Sequence, residues 1–226
     1  MNSQVDLSLA TIELEDEKAA DKIKKFTAVE IEQLYRKAMK LTGDKLNSQY
    51  GRFRTESLPT LAKMCVGAPV LIGHDKQSKP IAKIYDGYVN ECFVVTPFYF
   101  PKGRSDADDL AIDIDSRVLS ECSISIQFTK ATCGLCGRNM MSWFDCPHIP
   151  GREYPKTDEH EGGIAFYWYD NVKKVLEGSI VYRGAHPDTG FVDLSENTEW
   201  SEIIEKKQAV RTLILPDGKI IQKQAI

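Results

Sequence analysis

A chain of 226 residues with 42% hydrophobic content can bury a sizeable core, which excludes disorder of the whole and fits one large domain with appendages. Its 29 basic and 33 acidic side chains, net charge -4, are mixed along the sequence, so no field favours nucleic acid or an anionic membrane and a protein partner is the default. No apolar run approaches the roughly eighteen residues of a membrane helix, and MNSQVDLSLATIELEDEK lacks the order of a signal peptide. Six cysteines in a chain that needs no staples, with Cys65, Cys92 and Cys122 in apolar surroundings, point to a reducing, cytoplasmic setting.

Residues 1–25 carry clustered charges of both signs and read as a loosely attached, flexible leader. In TAVEIEQLYRKAMKLTG, Thr27 and Glu30 form the T-x-x-E capping box, and Ile31, Leu34, Tyr35, Ala38 and Leu41 recur at helical spacing before Gly43; a helix is predicted. A second, short helix is predicted over SLPTLAKMCVG, followed by a buried strand in APVLIGHD that leaves His74 at its end. Strands follow in KPIAKIYDGYVN and ECFVVTPFYF, then a helix over SDADDLAIDIDSRVL with acidic residues in its first turn. SECSISIQFTK alternates, with Cys122, Ile124, Ile126 and Phe128 on one face and Glu121, Ser123, Ser125 and Gln127 on the other. After a cysteine-rich insert, GGIAFYWYDNVKKVLEGSIVYRGAHP supplies more strand, and the tail reads as a helix over NTEWSEIIEKKQAV and a hairpin turning at Asp217-Gly218.

The insert, at residues 131–152, is the most distinctive chemistry in the chain. Cys133 and Cys136 form a C-x-x-C with a glycine after each cysteine, and Cys146 and His148 supply a second pair. That is a Cys3His set with the spacing of a tetrahedral zinc site; a reduced, metal-free loop or a local disulfide is the alternative. Four ligands close the shell, so a bound zinc has a structural role. A nucleic-acid-binding knuckle is a further reading, but the loop between the ligand pairs holds one basic residue, Arg138, against the need to neutralise phosphates.

If the metal is structural, any chemistry comes from elsewhere. His74 stands where general bases often stand, Ser123 and Ser125 share a strand face, and Glu177 begins a β-rich run where a carboxylate can orient an imidazole. Each has an ordinary reading as a solvated or packed side chain, and composition does not choose among them.

The order of SQYGRFRTESLPTLAKMCVGAPVLIGHDKQSKPIAKIYD, IDSRVLSECSISI, CGLCG, CPHIPGREY and LEGSIVYRGAHP resembles the prohead maturation proteases of tailed bacteriophages, in the subgroup with a cysteine-rich insert. The resemblance covers about residues 48–190. It implies an α+β fold of the herpesvirus assemblin type: a mostly antiparallel β-barrel with surrounding helices, here a domain over 26–195 with the zinc knuckle inserted and a C-terminal extension at 196–226. It also implies a serine endopeptidase. Residue by residue, the family's histidine matches His74 as general base, its serine matches Ser123 as nucleophile, and the acidic residue of E-x-S-x-V matches Glu177. Ser125 stands where the family usually has glycine and is the alternative nucleophile. Arg183 is the oxyanion candidate by the same resemblance.

The expected substrates are the scaffold protein and the major capsid protein, cut inside the assembling prohead in the bacterial host cytoplasm, with a homodimer as the active form. The competing expectation is a catalytically inactive, zinc-stabilised capsid-assembly or scaffold protein with the same fold, and Ser125 in place of glycine is the feature behind it.

Overall fold

The structure is a computed structural model and describes residues 17–194 together with the backbone of 211–214 and 220–223. Helix α1 covers 17–23. A 3-10 turn at Ile31–Gln33 leads into strand β1 (Leu34–Gly43), then β2 (Gly51–Arg52), helix α2 (Leu58–Cys65), β3 (Pro69–Ile72), β4 (Ala82–Ile84), β5 (Tyr88–Asn90) and β6 (Phe93–Pro101). Helix α3 (Ser105–Asp115) precedes the long strand β7 (Glu121–Cys133), and β8 (Glu153–Tyr154), β9 (Gly163–Ile164), β10 (Tyr167–Val181) and β11 (Gly190–Val192) complete this unit. Residues 193–226 form a second compact unit, in which β12 (Arg211–Ile214) and β13 (Ile220–Lys223) pair antiparallel, Arg211 opposite Lys223. The turn expected at Asp217-Gly218 and the helix expected over 197–210 lie outside the described residues.

Nine strands make one curled sheet in the order β11-β1-β6-β4-β3-β10-β2, with β5 on β6 and β7 on β10. It is a half-barrel, open rather than the closed barrel expected. Most neighbours are antiparallel, but β10 pairs β3 and β2 in parallel. The curl brings β7 against β1 and β11, yet among the described residues no ladder joins them. Instead the Cys122 thiol reaches the carbonyls of Lys40 at 3.1 Å and Gly190 at 3.3 Å. One S–H has one proton to share between two acceptors, so this contact tacks the seam without closing it. Strand patterning reports which residues are buried and not whether the last edge finds a partner.

The residues expected to form the helix after Thr27 instead form β1, between β6 and β11 in the sheet. Both faces of this strand are covered. Met39 and Leu41 enter the main core, while Leu34 joins a second cluster with Ile23, Tyr85 and Tyr99. A register shift between Lys40 and Thr42 breaks the two-residue alternation. Two-sided burial and a bulge together mimic a helical period, and pattern alone cannot separate the two. Thr27 caps no helix there; its hydroxyl accepts the Val29 N–H at 3.2 Å.

The leader also differs from expectation over its described part. Ile23 is 2% exposed, Ala19 and Phe26 pack beside it, and Lys22 pairs with Asp86. Cys65 and Cys122 are buried as expected, and burial pushes each thiol up to about 12. Cys92 is instead exposed, at a left-handed turn with φ 79° between β5 and β6.

The main core, with Met39, Phe98 and Phe100 among its largest buried side chains, packs against Leu58, Leu61, Ala62 and Cys65 of α2. Met39→Ala is expected to lower unfolding stability by about 3 kcal/mol, from lost burial plus the cavity left behind. Urea unfolding of both proteins checks it, and a loss below about 1 kcal/mol would contradict the central placement of β1.

Candidate active-site cleft and metal centre

Strand β3 runs parallel to β10, with Leu71 opposite Ser179 and Ile72 opposite Ile180. Past its end, Gly73 and His74 both take left-handed backbone, φ 60° and 59°. Glycine does so freely, whereas the histidine accepts a cost on the order of 1 kcal/mol. Hydrogen bonds hold the turn: Gly73 N–H donates to Ile180 O at 2.8 Å, His74 N–H donates to Ser179 Oγ at 2.9 Å, and that hydroxyl donates to Leu71 O at 3.1 Å. The imidazole is thereby turned onto Glu177, with His74 Nδ1 2.7 Å from Oε1.

Glu177 is 2% exposed, and its second oxygen has no hydrogen-bond partner. A carboxylate only accepts, so Nδ1 carries the imidazole proton and Nε2 is left as the basic nitrogen. Across the β7–β10 ladder, Ser125 lies opposite Glu177 and Ser123 opposite Ser179, so side chains of both serines share the face of the carboxylate. The expected alternation of β7 is blurred: Ser123, assigned to the polar face, is 7% exposed. Among the described residues neither serine hydroxyl bonds the imidazole.

His74, Ser123, Ser125 and Arg183 line one cleft of about 660 Å³. An aromatic wall of Phe53, Phe128, Tyr167 and Tyr169 and the rim loop Asn47, Ser48 and Gln49 add to its lining. Arg183 follows the end of β10, exposed, and no carboxylate among the described residues pairs with it. The adjacent Gly184 N–H is taken by Glu121 Oε2 at 2.6 Å.

One cleft residue carried no sequence signal. His186, 5% exposed, packs edge-on to Phe93 and donates Nδ1–H to Pro187 O at 2.6 Å, while its Nε2 is buried without a partner. It sits in a loop with no periodicity to read. Burial lowers its pKa, with the charge of Lys45 adding to that and the Pro187 carbonyl, Asp188 and Asp44 opposing.

The four insert residues converge. Cys133, Cys136, Cys146 and His148 place one ligand atom each within 4.8 Å of one another, a cluster able to hold a metal ion. The Cys136 and Cys146 sulfurs are 3.6 Å apart, far beyond the roughly 2.05 Å of a disulfide, and all six cysteines are free. Leu135 N–H donates to Cys133 Sγ at 3.4 Å, as a knuckle requires. Burial pushes the Cys146 thiol up to about 12; at Cys136 burial is outweighed by the Arg138 backbone and the neighbouring thiols, which lower it. Such crowding of thiols is what a bound cation relieves.

The metal lobe is larger than the expected 131–152. It runs to Phe166, closed by Gly134 N–H to Phe166 O, Gly151 N–H to Ala165 O and the β8–β9 pair. It includes His160, unread in the sequence, whose Nε2 lies 3.3 Å from Nε2 of His148.

No protein-family model matches the chain, and comparison with curated proteins and with solved structures finds no significant match. Among the described residues no helix is long and apolar enough to cross a membrane.

Two outcomes follow for the site. Because folding depresses the His186 pKa, the unfolded state binds its proton more readily; the stability this group contributes is present above about pH 6.5 and is lost as pH falls below it. Denaturant unfolding at about pH 8 and about pH 5 should show a larger loss for wild type than for His186→Asn; equal losses would remove His186 as the source. Cys133→Ser should lose at least about tenfold in metal affinity, read by competition with a chromophoric chelator, while the half-barrel's circular dichroism persists.

Proposed function

We propose that the chain is a serine endopeptidase of the prohead-maturation type that cuts scaffold and major capsid protein during phage head assembly. The observation that carries the proposal is the buried Glu177 carboxylate 2.7 Å from Nδ1 of His74, whose imidazole lines one cleft with Ser123 and Ser125. A buried acceptor that fixes an imidazole tautomer beside a serine is the arrangement of an activated nucleophile. In this reading His74 Nε2 takes the Ser123 proton as the hydroxyl oxygen attacks the peptide carbonyl. Glu177 stabilises the imidazolium, the proton passes to the departing amine, and water then releases the acyl group. With Gly184 N–H already engaged, Arg183 is the residue left to face the oxyanion. Ser125 remains the alternative nucleophile, and the resemblance to the assemblin type supports a homodimer as the active form.

The metal in this reading is Zn2+. A tetrahedral zinc with three sulfurs and one nitrogen sets ligand atoms about 3.6–3.8 Å apart, and the Cys133–His148, Cys146–His148 and Cys136–Cys146 separations are each 3.6 Å. A bound zinc would supply a structural cross-link, through Nδ1 of His148. Cys133 lies ten residues from Ser123 along β7, about 30 Å of strand path, which supports a role in holding the lobe.

The second reading is an inactive assembly protein of the same fold. Two observations favour it: no hydrogen bond joins either serine to the imidazole among the described residues, and Ser125 occupies the position where the resembled family has glycine. Open geometry in the free enzyme does not by itself exclude catalysis.

Co-expression with the cognate capsid and scaffold proteins separates the readings. Cleavage is expected from wild type, with Ser123→Ala, His74→Ala and Glu177→Gln each slower by at least about a thousandfold. Cleavage surviving in Ser123→Ala but not in Ser125→Ala would move the nucleophile to Ser125, and an inactive wild type would favour the assembly protein. One zinc per chain is expected by elemental analysis. Chelation should lower activity in step with melting of the lobe; immediate loss of all activity with the lobe intact would make the metal catalytic.

A further inference from the structure

The lobe meets the cleft along the ladder, where Cys133 lies opposite Tyr167, and separately at the turn 47–51, through the side chain of Tyr50. Tyr50 lies with its ring flat on Gly151: a Cβ at Gly151, whose φ is +84°, would stand 2.4 Å from Tyr50 Cε2. Gly151 is three residues beyond the ligand His148 and is held there by its N–H to Ala165 O at 2.8 Å. The segment between is tied as well, since Ile149 N–H donates to the Tyr154 hydroxyl at 3.0 Å and the Tyr154 ring stands edge-on to His148. Rigid contacts thus run from a metal ligand to Tyr50.

On its other side Tyr50 directly follows the cleft-lining residues Asn47, Ser48 and Gln49. It takes left-handed backbone, φ 59°, which an aromatic residue rarely adopts without being held. Its carbonyl accepts the Tyr167 N–H at 2.9 Å and its N–H donates to Asn47 O at 3.0 Å. Asn47 Oδ1 accepts the N–H groups of Gln49 and Gly51, and Asn47 Nδ2 donates to the hydroxyl of Tyr169 in the aromatic wall. Ser48 N–H donates to Ala185 O at 2.8 Å, two residues from Arg183. The turn 47–51 therefore joins the aromatic wall to the Arg183 loop, and it does so in a strained conformation that the Tyr50 ring contact can hold.

We propose that Tyr50 is a positioning residue through which the metal lobe sets the rim of the cleft, so that metal loading tunes peptide binding without touching the His74–Glu177 pair. The kinetic part rests on the protease reading; the structural part does not. Among the described residues no hydrogen bond or ring contact joins Tyr50 to the catalytic candidates, so its loss should act on substrate binding rather than on bond breaking.

The test is hydrogen exchange on the full chain, metal-loaded and after chelation, with wild type, Tyr50→Ala and Tyr50→Phe. Stripping wild type should speed exchange at Ser48 to Gly51 and at Tyr167 by about tenfold or more while β1 and β6 stay protected. Tyr50→Ala should reproduce that increase with its metal still bound, and Tyr50→Phe, which keeps the ring, should not. On peptide substrate Tyr50→Ala should raise KM about tenfold with kcat within about twofold. Exchange rising everywhere at once on chelation, wild-type exchange in loaded Tyr50→Ala, or Tyr50→Phe behaving as the alanine variant would each overturn the proposal. If wild type cleaves nothing, the protease reading fails while the exchange results still decide the role of Tyr50.

Discussion

The antiparallel ladder between β7 and β10 fixes the position of nearly every group in the candidate site. It runs from Cys133 opposite Tyr167 to Glu121 opposite Val181. One end of β7 supplies Cys133 to the Cys3His cluster, and the other presents Ser123 and Ser125 to the cleft. The same β10 pairs on its other side with β3 in parallel, which delivers His74 to Glu177. Two register shifts, between Val172 and Lys174 and between Val175 and Glu177, adjust which β10 side chains face the serines. A slip of one residue would turn Glu177 to the opposite face and dissolve the constellation.

The ladder also explains why a carboxylate is tolerated where it is. Burying Glu177 with a single partner costs several kcal/mol relative to water, and the unpartnered Oε2 makes the expense visible. Packing strong enough to enforce it comes from neighbours on both sides, Ser179 locking the His74 turn and the core filling the space beneath. Together with the left-handed His74, this is local strain carried by a well-packed scaffold, the kind of feature that concentrates at working sites.

Legibility in the sequence followed the range of the interactions. The α2 and α3 helices, β3 with His74 at its end, β7 and β10 were all readable, because local pattern and flanking turns agreed with burial. The Cys3His cluster was readable for a similar reason: its ligands lie within sixteen residues, and spacing alone constrains their geometry. The β1 strand was misread as a helix because two separate clusters bury its two faces and a bulge disrupts the alternation. Neither fact exists before the sheet forms. His160 joined the metal lobe, and His186 the cleft, through folds of loops that carry no period.

Local pattern was enough to specify the kind of residues available and the elements that hold most of them: a sulfur-rich knuckle, a histidine after a buried strand, hydroxyls on another strand, a glutamate on a third. It took the folded sheet to bring His74 and Glu177, 103 residues apart, within a hydrogen bond, to line one cleft with His74 and both serines, and to leave the β7 seam open. Those outcomes depend on strand register and on which edges pair, and both are set by long-range packing that no short window of residues contains.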